Sequence, residues 1–391
     1  MLRWLTAGES HGPVLLAVLD GLPAGVELTT DDLSRALARR RLGYGRGQRM
    51  SFEQDQIRVV GGLWRGVTTG APLAVEIENS EWPKWEEVMS ADPAPVPTSA
   101  RAAALTRPRP GHADLPGMVK YQQSDARAIL ERSSARETAA RVALGAAAQA
   151  FLAQGLGVDL TAHVVSLGGV MAAAEHRPGP ADLAALDASP VRSLDAAAAS
   201  AMKSRIDQAK QAGETLGGTV EVIAWNVPVG LGSHVQADRR LDAQLAAALM
   251  SIQAVKAVEI GLGCEVASRV GSAVHDQIER QNGQTRRRTN HAGGIEGGMS
   301  NGEPVLVRAA MKPIPSLAKA LGTIDTQTGL AATAHHQRSD VTAVPAAAVV
   351  AAAMTALVLA RAALDKFGGD HVDQVRASLA AYRDGVADFL T

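Results

Sequence analysis

The chain has 391 residues, 46 % hydrophobic and 20 % charged, which is the profile of a globular protein with a large core and excludes a disordered tail. Its 39 Lys and Arg against 40 Asp and Glu leave no overall field to draw in a nucleic-acid backbone, so any anion site has to be local. The single cysteine, Cys264, excludes an internal disulfide framework, and the opening MLRWLTAGESHG has neither the basic start nor the apolar run of a signal peptide; the expectation is a cytoplasmic protein.

In chain order, Val14, Leu15, Leu16, Val18 and Leu19 between glycine turns predict a strand. Thr29 or Thr30 ahead of Asp31 and Asp32 starts a helix whose last turn holds Arg39, Arg40 and Arg41, stopped by Gly43. Ile57 and Val59, then Leu73, Val75 and Ile77, alternate with polar or small residues, the period of two that predicts an antiparallel meander. The proline-rich stretch from Trp82 to Pro110 is expected as a surface excursion, and Asp125 to Leu152 as alanine-rich helix. Further on, Leu194–Ala212 is helical, Thr219–Val227 a strand, Gln236–Ser251 helical, Gln281–Asn290 polar and mobile, and Pro304–Met311 a strand. Two alanine-rich helices, about Val341–Leu364 and Val372–Phe389, close the chain. The apolar run Val344–Leu359 is shorter than the roughly 20 residues that cross a bilayer, so it is expected to be buried in protein.

No linker separates two self-sufficient cores, so one domain over 1–391 is expected, with variable excursions near 82–104 and 281–290. The plan is α+β (two-layer α/β class), with mainly antiparallel sheets and long helices between or against them. Neither GxGxxG after a strand nor GxxxxGK[ST] occurs.

Five clusters carry chemistry-bearing residues. Gly8-Glu9-Ser10-His11-Gly12 is a loop that can approach a ligand closely with an imidazole able to donate near neutral pH; it also fits a polar turn whose histidine satisfies a backbone carbonyl. RRRLGYGRGQRM at 39–50 holds five guanidiniums with no acid between them, suited to phosphate or carboxylate oxygens or to a solvated basic face. In RPRPGHAD at 107–114 the prolines restrict the backbone around His112, beside a ligand or as an ordinary turn. RSSARETAAR at 132–141 puts serine hydroxyls at a helix start, suited to a phosphate tail, while Glu137 could equally pair with Arg136 and Arg141 within the helix. The last cluster is dispersed: Gln253-Ala254, the glycines of 293–298, Lys312-Pro313-Ile314-Pro315-Ser316 and His335-His336-Gln337-Arg338-Ser339-Asp340. His335-His336 and His112/Asp114 raise the question of a metal, but without HExxH or a cysteine pair no protein-bound metal is expected.

Together GESHG, RRRLGYGRGQRM, RPRPGHAD, RSSARETAAR, GGIEGGMSNG at 293–302, KPIPS and HHQRSD resemble the chorismate synthase family, in that family's order and over almost the full chain. The resemblance implies a β-α-β sandwich with sheets enclosing central helices. It implies a homotetramer built as a dimer of dimers. The implied reaction is the anti-1,4-elimination of 5-enolpyruvylshikimate 3-phosphate to chorismate and inorganic phosphate, in the shikimate pathway of aromatic amino-acid biosynthesis, requiring reduced FMN (FMNH2) without net redox change. By the same resemblance His11 is the acid for the departing phosphate, His112 faces the reduced flavin, and Asp340 assists proton removal from substrate C6. Ser10 and Ser134 support the proton network. Arg40, Arg46 and Arg49 face substrate, and flavin contacts fall on Arg132, Ser133, Ser134, Gln253, Ala254, Gly297, Lys312, Pro313, Ile314, Pro315, Ser316 and Arg338.

The resemblance also carries an alternative, an NAD(P)H-consuming flavoprotein oxidoreductase with nicotinamide (NADP) contacts at Arg40 and Arg46. Without a dinucleotide fingerprint, dependence on an external flavin reductase or reductant is expected instead. A non-enzymatic anion- or RNA-binding protein would need a continuous basic track and stacking aromatics, and the chain has 4 Phe, 5 Trp and 3 Tyr with balanced charge. The expected partner is therefore an anionic small molecule, with neither nucleic acid nor membrane.

Overall fold

The computed structural model describes residues 2–47, 55–93, 100–173, 177–281, 284–335 and 340–390. Strands Arg3–Ala7, Val14–Asp20, Ile57–Gly61 and Leu73–Glu78 form one antiparallel sheet. Leu15, Ala17 and Leu19, and opposite them Leu73, Val75 and Ile77, point into the core as the period of two predicts. The expected meander is antiparallel but not sequential. Leu73–Glu78 turns back to pair with Val14–Asp20, Leu15 opposite Ile77, and leaves Ile57–Gly61 at the edge. The two strands with fully buried inner faces take the centre, whereas Ile57 and Val59 are only half-buried.

A second antiparallel sheet runs in the spatial order Val255–Ile260, Val305–Met311, Gly218–Trp225, Asp159–Leu167, Val170–Met171. Two of these strands were expected. Asp159–Leu167 and Val255–Ile260 were not, nor was Arg3–Ala7, since each mixes polar and apolar residues without a clean alternation.

Between the sheets lie two long helices, Thr138–Leu156 and Val344–Phe367. The first packs on Val14–Asp20 and Leu73–Glu78, the second on Asp159–Leu167 and Gly218–Trp225, and the two pack on each other. This is the mixed fold with sheets enclosing helices. Both helices are apolar nearly all round, as helices covered on every side must be. Val344–Phe367 is long and apolar enough to cross a membrane, yet every residue from Val344 to Ala360 is buried inside the protein. Gly145 sets the helix separation: a Cβ there would stand 2.5 Å from Ala353 Cα, so only glycine allows the close crossing.

The helix Thr30–Arg41 begins as predicted, with Thr29 and Asp32 forming a capping box and the three arginines in its last turn. The expected run from Asp125 to Leu152 is broken at Ser133-Ser134 into Arg127–Arg132, a single turn Ala135–Glu137, and Thr138–Leu156. Asp114–Tyr121 is a helix the sequence concealed, because Pro116-Gly117 reads as loop although proline is tolerated in a first turn. The predicted helices Leu194–Ala212 and Gln236–Ser251 are Ala196–Gln211, capped by Asp195, and Leu241–Met250. The closing helices are Val344–Phe367 and Val372–Leu390. The polar stretch near 281–290, expected to be mobile, carries the paired strands Ile278–Gln281 and Gln284–Arg287. Arg287 holds that hairpin to the body through Glu296 at 2.6 Å and the Asn301 carbonyl at 3.1 Å.

Candidate active site

The break at Ser133-Ser134 places a short polar segment, 131–138, at the head of the central helix Thr138–Leu156, and most of the chemical residues attach to it. Glu131 is buried and turned toward His11: one carboxylate oxygen accepts the His11 backbone N–H at 2.8 Å, and Nδ1 of the ring lies 2.9 and 3.0 Å from the two oxygens. The Ser10 amide donates to the Glu131 carbonyl at 3.1 Å. Trp85 stacks on the His11 ring with centroids 4.0 Å apart, so the ring is held at its edge and on one face. Gly8 has φ +98°, and a Cβ there would stand 3.0 Å from Leu15 Cα, so glycine lets this loop fold tightly against its own strand. Arg132 donates to the carbonyls of Thr6 (3.0 Å) and Gly8 (3.4 Å).

Further along the segment, Ser134 accepts the Arg136 amide at 3.3 Å as a cap, and Ser133 Oγ lies 3.4 Å from the Leu130 carbonyl. The helical pairing considered for Glu137 is half realised. Arg141 pairs with it at 2.9 Å, while Arg136 turns away to Asp55 at 3.4 Å and the Glu78 carbonyl at 2.9 Å. Burial raises the Glu137 carboxyl, but Arg141, Thr6 and Gln253 outweigh it and leave the pKa below the usual carboxylate value.

From this segment a closed circuit of contacts runs through the clusters. Arg40 donates to Thr138 Oγ1 at 3.4 Å and pairs with Asp55 at 3.5 Å. Six residues on, Arg46 pairs with Asp340 at 2.9 Å, and the Gly47 amide donates to the same carboxylate at 2.6 Å. The Val341 amide donates to Gly45 and its carbonyl accepts from Leu216, both at 2.8 Å. Thr215 donates to the Ile314 carbonyl at 2.7 Å. The Lys312 amide donates to the Ala254 carbonyl at 2.9 Å, and Gln253 Nε2 closes the ring on Glu137 at 3.0 Å. Ala254 sits in the left-handed region at φ +67°, a strained non-glycine position.

A branch leaves this ring at KPIPS. Arg109 donates to Ser316 Oγ at 2.8 Å and to the fully buried Asp114 at 2.9 Å, and His112 Nδ1 is 2.5 Å from the same carboxylate. Lys312 Nζ reaches the Gly111 carbonyl. Burial pushes the Asp114 carboxyl up, but the His112 and Arg109 hydrogen bonds more than cancel it and hold the group strongly acidic. Burial lowers the pKa of both His335 and Lys312.

Of the residues expected at the site, Ser10, His11, Arg40, Arg46, His112, Arg132, Ser133, Ser134, Gln253, Ala254, Lys312–Ser316 and Asp340 therefore belong to one connected set. Gly297 does not join it: its turn, between Glu296 and Met299, packs through Gly298 on Arg240 and Leu241. Arg49 and Arg338, with His336, Gln337 and Ser339, lie outside the described residues. The sequence reading missed Glu131, Asp55 and Trp85. Trp85 sits in the excursion near 82–104 that was expected to be variable, where EWPKWEE is the one aromatic signal; Glu131 directly precedes RSSARE, and Asp55 had no signal.

A family model described as chorismate synthase matches residues 2–364. A chorismate synthase of Acidothermus cellulolyticus is 63 % identical over 387 residues, covering 98 % of this chain and 99 % of the relative. One of Mycobacteroides abscessus is 60 % identical over 390 residues, covering 99 % and 95 %. Among solved structures, a crystal structure of chorismate synthase superposes with a TM-score of 0.79 at 40 % identity, covering 99 % of this chain and 98 % of that one.

Proposed function

This chain belongs to the chorismate synthase family and is a lyase converting 5-enolpyruvylshikimate 3-phosphate to chorismate and inorganic phosphate; we propose that it does so with reduced FMN at the connected set of residues described above. The observation that carries the residue assignment is the closed circuit, which gathers two histidine–carboxylate pairs and a surplus of cations from distant parts of the chain.

The residues fit a flavin and a polyanionic substrate. Gln253 Oε1, His335 Nε2 and Arg40 Nε are buried polar atoms with no hydrogen-bond partner among the described residues, a costly arrangement unless a polar ligand meets them. Arg132 and Lys312 bond only to neutral oxygens among the described residues, so their charge is available to phosphate or carboxylate. Arg132, Ser133, Ser134, Gln253, Ala254, Lys312–Ser316 and Arg338 would hold the cofactor. Bound and reduced, it would supply an electron-rich ring able to share electron density with an allylic phosphate ester without net redox change.

The chain's own side chains then bind, orient and move protons. Arg40 and Arg46, with Arg49, hold the substrate's anionic groups; Arg40 shares the Asp55 carboxylate with Arg136. His11 delivers a proton to the departing phosphate, with Glu131 and Trp85 fixing the ring. His112, held by Asp114, faces the flavin, and Asp340 assists removal of the C6 proton. The expectation of a homotetramer, of an external reductant, of a single domain over 1–391 and of a cytoplasmic location belongs to the same proposal; the location is supported by the one cysteine, Cys264, being free and exposed. Anaerobic incubation of the purified protein with reduced FMN and 5-enolpyruvylshikimate 3-phosphate should give chorismate and phosphate in equal amounts. Turnover without FMN, or net flavin oxidation per product, would overturn the cofactor assignment. Oxidised FMN with NADPH should give no turnover unless a reductase is added.

A further inference from the structure

A cavity of about 280 Å³, apart from the connected set of candidate site residues, lies between the helix Thr30–Arg41, the two central helices and the strand Asp159–Leu167. Ala146 and Ala150 from one central helix and Val349, Ala352 and Ala353 from the other make one wall apolar. Arg39 and Arg192 make another wall cationic.

The two guanidiniums share a single carboxylate. Arg192 Nη1 donates to Asp187 at 2.6 Å, and Arg39 Nε to the same group at 2.8 and 3.1 Å. Asp187 is not among the lining residues, and the two carboxylates that are, Glu27 and Asp32, are solvent-accessible, so the buried end of the cavity meets Arg192 with its counter-charge turned elsewhere. Arg192 is 5 % exposed and sits at φ +58°, a backbone region that a non-glycine residue enters only when its surroundings hold it there. Its Nε donates to the Ala162 carbonyl at 2.9 Å, and Nη2 makes no hydrogen bond among the described residues. At the mouth Arg35 and Asp32 neutralise each other. A strut joining the first helix to the 183–192 segment needs one cation for one carboxylate. A second, buried cation at the wall of a cavity has a different use, because an unmatched buried charge is costly without an anion.

The volume has room for about nine water-sized units at ~30 Å³ each, enough for one small ring with a short acid arm. We propose that this cavity is a binding site, separate from the catalytic one, for a small monocarboxylate with an apolar body, its acid on Arg192 and Arg39 and its body on the alanine wall. The site is wired to catalysis by three elements. Arg39 precedes Arg40, which bonds Thr138 and Asp55; Ala146 and Ala150 lie on the helix that starts at Thr138; and Val349 to Ala353 lie on the helix that follows Asp340. An occupant that pulls on Arg39 therefore shifts the turn that carries Arg40, and changes kcat.

The test uses phenylacetate, with phenylacetamide as the uncharged control, against the FMN-loaded protein. Saturable binding of phenylacetate by calorimetry is expected, with the amide weaker by about 10- to 100-fold, the worth of a charge-assisted contact. A146L, which fills the cavity with two extra branches of side chain while leaving every arginine in place, should abolish binding and keep catalysis; R192Q should weaken it by a similar factor to the amide. Saturating phenylacetate should change kcat in the natural protein and not in A146L. No saturable binding, equal affinity for the amide, or undiminished binding in A146L overturns the site, the last because the acid would then be seated among the catalytic arginines. Binding that leaves kcat unmoved overturns the coupling. The catalytic assignment stands or falls separately, on turnover without phenylacetate.

Discussion

Glu131→Gln isolates what the carboxylate behind His11 does. The acid has two oxygens for two donors: the His11 amide at 2.8 Å and the ring Nδ1 at 2.9 and 3.0 Å. The amide side chain keeps one oxygen, so either the backbone or the ring is satisfied, and the new NH2 confronts whichever donor is left. The frame itself survives, because Ser10 bonds the Glu131 carbonyl, which the substitution does not touch, and Trp85 still stacks on the ring. One charge-assisted hydrogen bond is worth about 1.5–3 kcal/mol. At about 1.4 kcal/mol per decade of rate, kcat should fall about 10- to 150-fold if His11 is oriented for proton delivery. KM for the phosphate ester and FMN affinity should stay within about twofold, since the lost interaction matters to the reacting state rather than to binding. Single-turnover rates of chorismate formation, alongside flavin titration, measure both. Wild-type turnover in the variant would refute the role given to Glu131, and parallel loss of flavin binding would show that the carboxylate only supports the fold.

Other consequences are as specific. Gly145→Ala gains about 1 kcal/mol of helix propensity, but its Cβ would lie 2.5 Å from Ala353 Cα, a backbone atom that cannot swing aside. An overpacking cost of about 1–3 kcal/mol should win, and a urea midpoint equal to or above wild type would contradict the crossing geometry. Asp114→Asn leaves Arg109 and His112 facing an amide in a site with no exposure; breaking one partner of a buried pair costs about 3–5 kcal/mol. Denaturant unfolding that is unchanged would show the cluster to be unimportant. Under the second sheet, burial raises the Glu221 carboxyl, but His163, Arg177 and Arg308 overcome this and hold it at about 2 against an ordinary 4.5. A depressed carboxylate stabilises the fold fully above its unfolded value, so about 3 kcal/mol should drain away as pH falls from about 4.5 to about 2. Glu221→Gln should flatten that part of a stability-against-pH curve; an unchanged slope would assign the acid loss to other groups.

The closing chemistry was legible where the physics is local. Thr29 and Asp32 announce a helix start, alternation in Leu73–Ile77 a half-buried strand, and an unbroken apolar run after Val344 a helix covered on every side. A run of arginines without intervening acids likewise calls for negative partners from elsewhere in the chain, and Asp187, Asp55 and Asp340 meet Arg39, Arg40 and Arg46. What the order of residues does not hold is partnership across distance. Asp55, Glu131 and Trp85 became site residues only when folding brought them to Arg40 and His11, and no spacing rule links position 131 to position 11. The same holds for Leu73–Glu78 pairing with the second strand as well as with the third, and for Arg39 and Arg40 meeting different carboxylates, Asp187 and Asp55, from one helical turn. Local propensity is read from neighbours in the chain, while sheet order and charge pairing are decided by which apolar faces are buried together, and that sum exists only in three dimensions.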